Sequence, residues 1–256
     1  MDFRAGIDLA QKYYLDCRDD YDDPYRGFRN RRLDKSLMGY SHTGSDQDEL
    51  LQIEAPLWVE YLPAAAADLL WSLNELSCTV LMELFVRAGV NPSHIDTIAS
   101  GVSVNEALQY CIFNHYRSEV PESIGLTAHK DSGFITTLYT TEPGLESLEN
   151  GQWLAFDPLE GHFTVVLGHA FEVLTANFPQ PIHASYHRVR GMEARSASQD
   201  ERFTFGVYIG PRWDQHLYQY DLDGQLVAKQ SFLDFQKAKA KEMAYEFHPK
   251  VKTILG

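Results

Sequence analysis

The sequence predicts a mainly β protein with flanking helices, an α+β arrangement whose β part is a sandwich or barrel of the jelly-roll type. From about residue 107 onward, short runs of strand-forming residues alternate with turn signals such as EPG, ENG, DPLEG and NFPQP. Between residues 63 and 87, by contrast, leucines and other apolar residues recur every three or four positions, which is the period of a helix. These two patterns predict a helical region that precedes a β core.

One domain over residues 1–256 is the simplest organisation, because a chain of 256 residues can bury a large core. We expect residues 1–106 to form a helical and irregular N-terminal part that packs on the barrel. Residues 107–212 are expected to form the β core, and residues 213–256 a C-terminal helical extension. The apolar content of 44% and the charged content of 23% are ordinary for a soluble globular protein.

Two helices can be placed with their ends. The first covers residues 63–87, and Gly89 is a plausible stop because glycine readily adopts the left-handed conformation that follows many helices. Near the C-terminus, Ser231 precedes an amphipathic segment over residues 232–247, and Asp234 completes a weak capping box with it. The β core between them is predicted from the runs LQYCIFNHY, FITTLYT, QWLAF, FTVVLG, SYHRV and RFTFGVYIG.

The net charge and the cysteine content restrict which partners and which cellular compartment we expect for this protein. The formal net charge is −14, whereas a protein that neutralises phosphates needs positive charge, so nucleic acid and anionic membranes are not expected partners. No apolar run approaches the ~20 residues that span a bilayer, and the N-terminus lacks the apolar stretch of a secretory signal. The three cysteines are widely spaced and odd in number, which fits a reducing compartment. We expect a cytoplasmic protein, with a monomer as the default state.

The segment TAHKDSG places His129 and Asp131 two residues apart. In an extended strand these side chains share a face, but taken alone the pair is better explained by chance, and the metal site is favoured only together with the HRV and RFT runs. A second imidazole is available in the run SYHRV, from His187 rather than His183, because only His187 lies in the strand-like part. Two histidines and one carboxylate form the facial triad of non-haem Fe(II) oxygenases, which leaves three positions open for a co-substrate and O2.

Further polar side chains are predicted to face the same interior. Arg202 and Thr204 are two residues apart in a strand-like run, and a guanidinium binds carboxylates in a fork geometry. A dicarboxylic keto acid that chelates iron at one end needs its far carboxylate held in this way. Asn114 and Tyr116 share a face by the same spacing, and Tyr116 can donate to a carboxylate. For Asn114, a polar role at the strand edge is an equally good interpretation.

The chain carries five motifs in order: NHY at 114–116, HKDSGFITTLYTTEPGLESL at 129–148, GQWLAFDPLEG at 151–161, HRV at 187–189 and RFT at 202–204. In these motifs it resembles the isopenicillin N synthase-like group of Fe(II)/2-oxoglutarate-dependent dioxygenases, over about residues 58–212. One departure is LGHA at 167–170, where His169 stands in place of an acidic residue of many members.

The resemblance implies a double-stranded β-helix core of the jelly-roll, cupin-like type. It implies Fe(II), 2-oxoglutarate and O2 as the cofactor and co-substrates, with His129, Asp131 and His187 as iron ligands. It also implies four residues that bind 2-oxoglutarate, namely Arg202, Thr204, Tyr116 and Asn114.

The reaction implied by the resemblance is oxidation of an unactivated C–H bond in a small molecule, with succinate and CO2 as co-products. Hydroxylation is the default outcome, and desaturation or cyclisation are open. Phe134, Tyr208 and Phe171 could line an aromatic wall for the substrate, although buried aromatic side chains more often belong to a core.

Other functions remain open at this stage. An Fe(II) oxidase that does not use 2-oxoglutarate, like isopenicillin N synthase or aminocyclopropane oxidase, keeps the same arginine motif. A non-catalytic metal-binding or small-ligand-binding barrel is the alternative from another class. Zinc-dependent hydrolysis is disfavoured, because no glutamate in a metal-binding motif offers a general base.

Overall fold

The computed structural model describes residues 3–15, 39–41, 46–102, 106–118, 120, 124–140, 142–192 and 201–242. Its strands are β1 (Gly39–Ser41), β2 (Asp48–Glu54), β3 (Leu108–Tyr116), β4 (Ile124–His129), β5 (Ile135–Thr140), β6 (Leu145–Glu149), β7 (Gln152–Phe156), β8 (Thr164–Leu167), β9 (His187–Arg190), β10 (Arg202–Gly210), β11 (His216–Tyr220) and β12 (Leu226–Ser231). Its α-helices are α1 (Arg4–Leu15), α2 (Trp58–Tyr61), α3 (Ala64–Ala88), α4 (Ile95–Ile98), α5 (His169–Thr175) and α6 (Phe232–Glu242).

Two antiparallel sheets form the β core. The larger sheet has six strands in the order β1-β2-β3-β10-β5-β8, and the smaller has four in the order β4-β9-β6-β7. Consecutive strands such as β4 and β5, or β9 and β10, belong to different sheets, so the chain passes repeatedly from one sheet to the other. This alternation is the double-stranded β-helix arrangement of a jelly roll, and the predicted fold class is confirmed.

Strand β10 lies at the centre of the larger sheet, paired with β3 on one side and β5 on the other. All nine of its residues, Arg202–Gly210, are buried, because neighbouring strands cover its edges and packed layers cover both of its faces. Its composition fits this position, since aromatic and β-branched residues pack well on a pleated surface. The strand therefore holds the polar side chains at its start in fixed positions.

Helix α3 covers the larger sheet and packs against β10 and β5. It ends where the sequence predicts, because Gly89 takes a left-handed conformation with φ of 83° and its N–H caps the last turn. Leu73, Leu81 and Phe85 are fully buried on its inner side. By length and composition alone α3 could also cross a membrane, which the sequence-based expectation did not anticipate. Its buried face packs against the sheet as a core helix does.

The two flanking parts contain more β structure than predicted. Strands β1 and β2 lie within residues 1–106, where we expected helical and irregular structure, and they extend the larger sheet beyond β3. The β11–β12 hairpin lies within the part expected to be a helical extension. Helix α6 follows it, and the Ser231 hydroxyl accepts from the Asp234 N–H as predicted for its cap. The predicted continuation over 243–247 lies outside the described residues.

Candidate metal and co-substrate site

The three predicted metal ligands lie together at one end of the smaller sheet. His129 is the last residue of β4, and it is paired directly with His187, the first residue of β9. Asp131 follows β4 by two residues, in the turn that leads to β5. Asp131 Oδ1 lies 3.4 Å from His129 Nε2 and 3.7 Å from His187 Nε2. The candidate ligand atoms all lie within 4.8 Å of one another, so a single ion can reach all three.

Hydrogen bonds orient each of these side chains toward a common point. His129 Nδ1 lies 2.8 Å from the Thr127 carbonyl, and His187 Nδ1 lies 3.3 Å from the Ser185 carbonyl. Because a carbonyl only accepts, each Nδ1 carries a hydrogen, and each Nε2 presents its lone pair when the imidazole is neutral. On the third ligand, the Thr136 hydroxyl donates to Asp131 Oδ2 at 2.5 Å. Oδ1 is thereby left facing the two imidazoles.

The electrostatics of the three side chains suit a cation. Burial favours the neutral form of Asp131, but the charges at His187 and His129 and the hydrogen bond from His129 outweigh it, and the pKa falls well below its usual range. Burial lowers the pKa of His187, whereas at His129 the Asp131 carboxylate outweighs burial and raises the pKa, so a bound metal ion competes with a proton there. Metal ligands must be deprotonated, as an ionised carboxylate and neutral imidazoles are. These residues fit the divalent metal that the motif predicts.

The turn that carries Asp131 is held by contacts from two other elements. The Ser132 hydroxyl lies 2.9 Å from the Tyr208 hydroxyl of β10, and it accepts a 2.7 Å hydrogen bond from Gln236 Nε2 of α6. Gly168 lies against the Gly133 carbonyl so closely that a side chain at position 168 would collide with it. The C-terminal helix and the central strand therefore both fix the turn.

A second polar group lies on the facing sheet. Arg202 of β10 is paired with Tyr116 of β3, and Thr204 is paired with Asn114, so these four side chains share the interior face. Tyr116 and Thr204 are joined by a side-chain hydrogen bond. The Arg202 guanidinium lies over the Tyr116 ring, 5.4 Å from its centroid. Each of these four residues is buried, with less than one tenth of its surface exposed.

Arg202 reaches from the larger sheet to the smaller one. Its Nη1 donates to the Arg190 carbonyl of β9 at 2.8 Å. Gly144 lies against the same guanidinium, and a Cβ atom there would collide with it. Arg190 is three residues beyond His187 on one extended strand, a separation of about 10 Å. The guanidinium and the histidine cluster therefore lie along the same strand, where a dicarboxylate between them would place one carboxylate at each.

The structure separates the two candidate histidines of the SYHRV region. His183 is exposed and lies before β9, whereas His187 is buried and joins the cluster. His115 is paired with Phe203 and lies on the opposite face of the sheet from Tyr116. There it contacts Glu49 and Glu201, away from the cluster.

The predicted aromatic wall is not present. Phe134 and Phe171 are at most 2% exposed and pack edge-on against Phe85 of α3, with ring centroids 5.5 and 5.2 Å away. They belong to the hydrophobic core, since α3 covers them. Tyr208 is stacked on Tyr110, and its hydroxyl contacts the Ser132 hydroxyl, so it helps to fix the turn that carries Asp131. The structure thus gives none of the three a place against a substrate.

Asp48 of β2 is a site residue that the sequence did not reveal. It is paired with Tyr116, so its side chain faces the same interior, and it is only 5% exposed. Its Oδ1 accepts a 2.8 Å hydrogen bond from Asn114 Nδ2, which engages the amide that was expected to contact 2-oxoglutarate. Burial raises the pKa of Asp48 to about 7. Only the pairing of β2 with β3 reveals this position, because DQDELL has no clear alternation.

Comparison with known proteins agrees with the geometry. The model of the 2OG-Fe(II) oxygenase superfamily matches residues 108–211. Gibberellin 3-beta-dioxygenase 2-3 of Triticum aestivum is 28% identical over 138 residues, which are 51% of this chain and 35% of that protein. Protein DMR6-LIKE OXYGENASE 2 of Arabidopsis thaliana is 37% identical over 112 residues, 43% of this chain and 31% of that protein. The chain spans about a third of the length of these curated relatives.

Solved structures show the same fold over most of the chain. A full-length Neurospora crassa protein, crystallised with alpha-KG and 5-formyluracil, has a TM-score of 0.66 at 16% identity, and the match covers 94% of this chain and 81% of that one. The rice dioxygenase for auxin oxidation has a TM-score of 0.66 at 18% identity, and the match covers 95% of this chain and 82% of that one. At such identities the similarity concerns the fold.

Proposed function

We propose that the protein is an Fe(II)- and 2-oxoglutarate-dependent oxygenase that oxidises an unactivated C–H bond of a small molecule, because residues 108–211 match the model of the 2OG-Fe(II) oxygenase superfamily. One observation carries the proposal. Two imidazole Nε2 atoms and one carboxylate oxygen converge at the end of β4 and β9, and a buried guanidinium lies beside the same strand β9. A chelating keto acid with a second carboxylate is complementary to this pair of features.

In this proposal His129, Asp131 and His187 hold Fe(II). The bound ion supplies the O2 chemistry, in which 2-oxoglutarate is consumed to succinate and CO2. The Thr127 and Ser185 carbonyls keep both imidazoles in the tautomer that offers Nε2. Thr136 holds the carboxylate with Oδ1 toward the ion.

Arg202 and Thr204 bind the far carboxylate of 2-oxoglutarate, and Tyr116 donates from the neighbouring strand. A guanidinium suits this role because its fork of N–H groups matches a carboxylate. Burial of all three side chains excludes water, which strengthens each of these interactions. Burial also raises the pKa of Tyr116 well above its ordinary value, so the phenol keeps its proton and can donate it in a hydrogen bond.

Hydroxylation is the outcome that we propose first, with desaturation or cyclisation as variants of the same C–H oxidation. The similarity to gibberellin 3-beta-dioxygenase 2-3 of Triticum aestivum supports a small-molecule substrate. We further propose that the protein acts as a cytoplasmic monomer and binds neither nucleic acid nor membrane. The net charge of −14 supports the absence of a nucleic-acid partner.

The test is an anaerobic titration of the metal-free protein with Fe(II) and then with 2-oxoglutarate, followed by visible absorption. We expect a weak charge-transfer band that appears with 2-oxoglutarate, does not appear with succinate, and is lost in His187→Ala. His183→Ala is the matched control, because it removes an exposed imidazole four residues away and should leave the band unchanged.

Each other outcome points to a different function. Binding of Fe(II) without the band would overturn the role of Arg202 and Thr204 and favour an oxidase that does not use 2-oxoglutarate. Absence of Fe(II) binding would overturn the metal site itself. Tight binding of Fe(II) and 2-oxoglutarate without O2 consumption on any small molecule would favour a non-catalytic binding barrel.

A further inference from the structure

Asp48 differs from the carboxylates next to it in the DQDE run. Asp46 accepts from the Thr127 N–H and hydroxyl at 2.8 and 2.9 Å. Glu49 points to the outer face, where it contacts His115 and accepts from the Tyr40 hydroxyl, each at 2.7 Å. Asp48 points to the interior and is held by a single side-chain amide. Asp46 is thus engaged at both oxygens by Thr127 and Glu49 lies on the outer face, whereas Asp48 is engaged at one oxygen on the interior face.

No cation within the described part of the chain neutralises Asp48. Neither Arg202 nor any other described lysine, arginine or histidine forms an ion pair with its carboxylate. Arg117 approaches only the Asp48 backbone carbonyl, at 3.4 Å. Burying an unpaired carboxylate is costly, and the raised pKa of Asp48 reflects the same cost. Buried charges of this kind are characteristic of binding sites, where the ligand supplies the missing partner.

The position of Asp48 limits what that partner can be. Asp48, Tyr116 and Arg202 form one row across β2, β3 and β10, on the face that looks toward the metal cluster. Asp46 binds Thr127, which lies two residues before the metal ligand at the end of β4, so the start of β2 that carries Asp48 lies beside the end of β4 that carries this ligand. 2-Oxoglutarate carries two negative charges, so a carboxylate opposes its binding. The remaining ligand of such a site is the substrate.

We propose that Asp48 binds a positively charged group of the substrate, and that the substrate class is therefore small molecules with a protonated amine or a comparable cation. This inference rests on the proposed function. Asn114 orients Asp48 by donating to Oδ1, and no described side chain forms a hydrogen bond with Oδ2, which is the atom that we expect to meet the cation. Arg202 thus binds the dianionic keto acid, and Asp48 binds the cationic substrate.

The test compares Asp48→Asn with the wild type, both loaded anaerobically with Fe(II) and 2-oxoglutarate. Asparagine keeps an oxygen that can accept from Asn114, so the variant removes charge while it preserves the contact. The probes are benzylamine, cyclohexylamine and butylamine, each paired with the alcohol of the same carbon skeleton. Binding is measured by calorimetry. Glu149→Gln, at an exposed position of β6, is the control with the same change in net charge.

We expect at least one amine to bind the wild type about tenfold or more tightly than its alcohol, as a charge-assisted contact predicts. The preference should disappear in Asp48→Asn and persist in Glu149→Gln. A preference that survives in Asp48→Asn, or the absence of any amine preference in the wild type, would overturn the proposal.

Failure of the proposed function can be told apart from failure of this inference. The 2-oxoglutarate titration is carried out first on the wild type and on Asp48→Asn. If neither forms the charge-transfer band, the oxygenase proposal fails, but an amine preference of the metal-free wild type that Asp48→Asn removes would still support the role of Asp48. If both form the band and neither prefers amines, only the substrate class is wrong.

Discussion

At the level of single residues, the candidate site depends on side chains that are expected to bind neither the metal nor the co-substrate. Thr136 holds one oxygen of Asp131, and Gly144 leaves room for the guanidinium of Arg202. Neither role is visible in the sequence, since a threonine in a strand and a glycine in a turn are common. Both become specific only when the packing of β5 and β6 places them against the site.

Substitution of Thr136 by valine should weaken metal binding. Valine keeps the shape of the side chain but removes the hydrogen bond to Asp131 Oδ2, so the carboxylate is free to rotate away from the imidazoles. Loss of an outer hydrogen bond of this kind typically reduces metal affinity by about 10- to 100-fold. A competition titration of Co(II) against a chelating dye measures the change.

Thr137→Val is the matched control for this substitution. Thr137 is as buried as its neighbour, but its hydroxyl contacts Ser77 of α3 on the other face of the strand. We expect its metal affinity to match that of the wild type. Equal losses in the two variants would show that β5 responds to any buried change and that Thr136 has no particular role.

Substitution of Gly144 by alanine should weaken binding of 2-oxoglutarate without affecting the metal. The new methyl group would occupy the space of the Arg202 guanidinium, at a residue whose φ of 148° also disfavours a side chain. We expect the dissociation constant for 2-oxoglutarate to rise about tenfold or more, which corresponds to about 1.4 kcal/mol. The charge-transfer titration gives this constant directly.

Gly151→Ala controls for the backbone effect alone. Gly151 also has a positive φ, of 79°, but a Cβ atom there meets open space. This variant should lose some stability and keep its affinity for 2-oxoglutarate. If it loses affinity to the same extent as Gly144→Ala, the contact with Arg202 is not the cause.

At the level of elements, long periodic segments were predictable and polar strands were not. Helix α3 and strand β10 both lie where their patterns place them, because each buries a long apolar surface. Strand β2, DELLQIE, was missed because it is buried on both faces and begins with two acidic residues, so it shows neither alternation nor strand propensity. Asp48 was missed with it, since its place in the site follows from strand pairing alone.

The candidate metal cluster was predictable for a different reason. We expected His129 and Asp131 to share a face because both would lie in one strand. In the structure β4 ends at His129, and Asp131 lies in the turn beyond it. The two side chains still meet, because the turn is held by Tyr208 and Gln236. The motif thus indicates the correct residues, while the reason they converge comes from distant elements.

Helix α3 should depend on Phe85 for its attachment to the sheet. The Phe85 side chain is completely buried and packs edge-on against Phe134 and Phe171. Phe85→Ala leaves a cavity there, and we expect the free energy of unfolding to fall by about 3–5 kcal/mol. Val86→Ala, at a neighbouring position that is 58% exposed, should change it far less. Urea unfolding followed by circular dichroism compares the two, and similar losses would contradict this packing.

At the level of the whole molecule, bound metal should stabilise the fold as well as enable chemistry. The cluster joins β4, β9 and the turn before β5, and an ion bound there stabilises the folded state relative to the unfolded chain. Removal of the metal with a chelator should therefore lower the melting temperature of the wild type. His187→Ala should melt at one temperature whether or not Fe(II) is present, and a metal-dependent shift in this variant would place the stabilising ion elsewhere.

The two ends of the candidate site belong to different sheets. The imidazoles lie on the smaller sheet, and Arg202, Thr204 and Tyr116 lie on the larger one. Facing sheets are separated by side chains over about 10 Å. The Arg202 side chain crosses this gap and reaches a backbone carbonyl of β9, so the place of the guanidinium along β9 sets the length of the diacid that fits between it and the metal. Gly144→Ala, which displaces the guanidinium, should therefore alter the ratio of affinities for 2-oxoglutarate and the one-carbon-longer 2-oxoadipate, whereas Phe85→Ala, at the contact between α3 and the sheet, should leave that ratio unchanged.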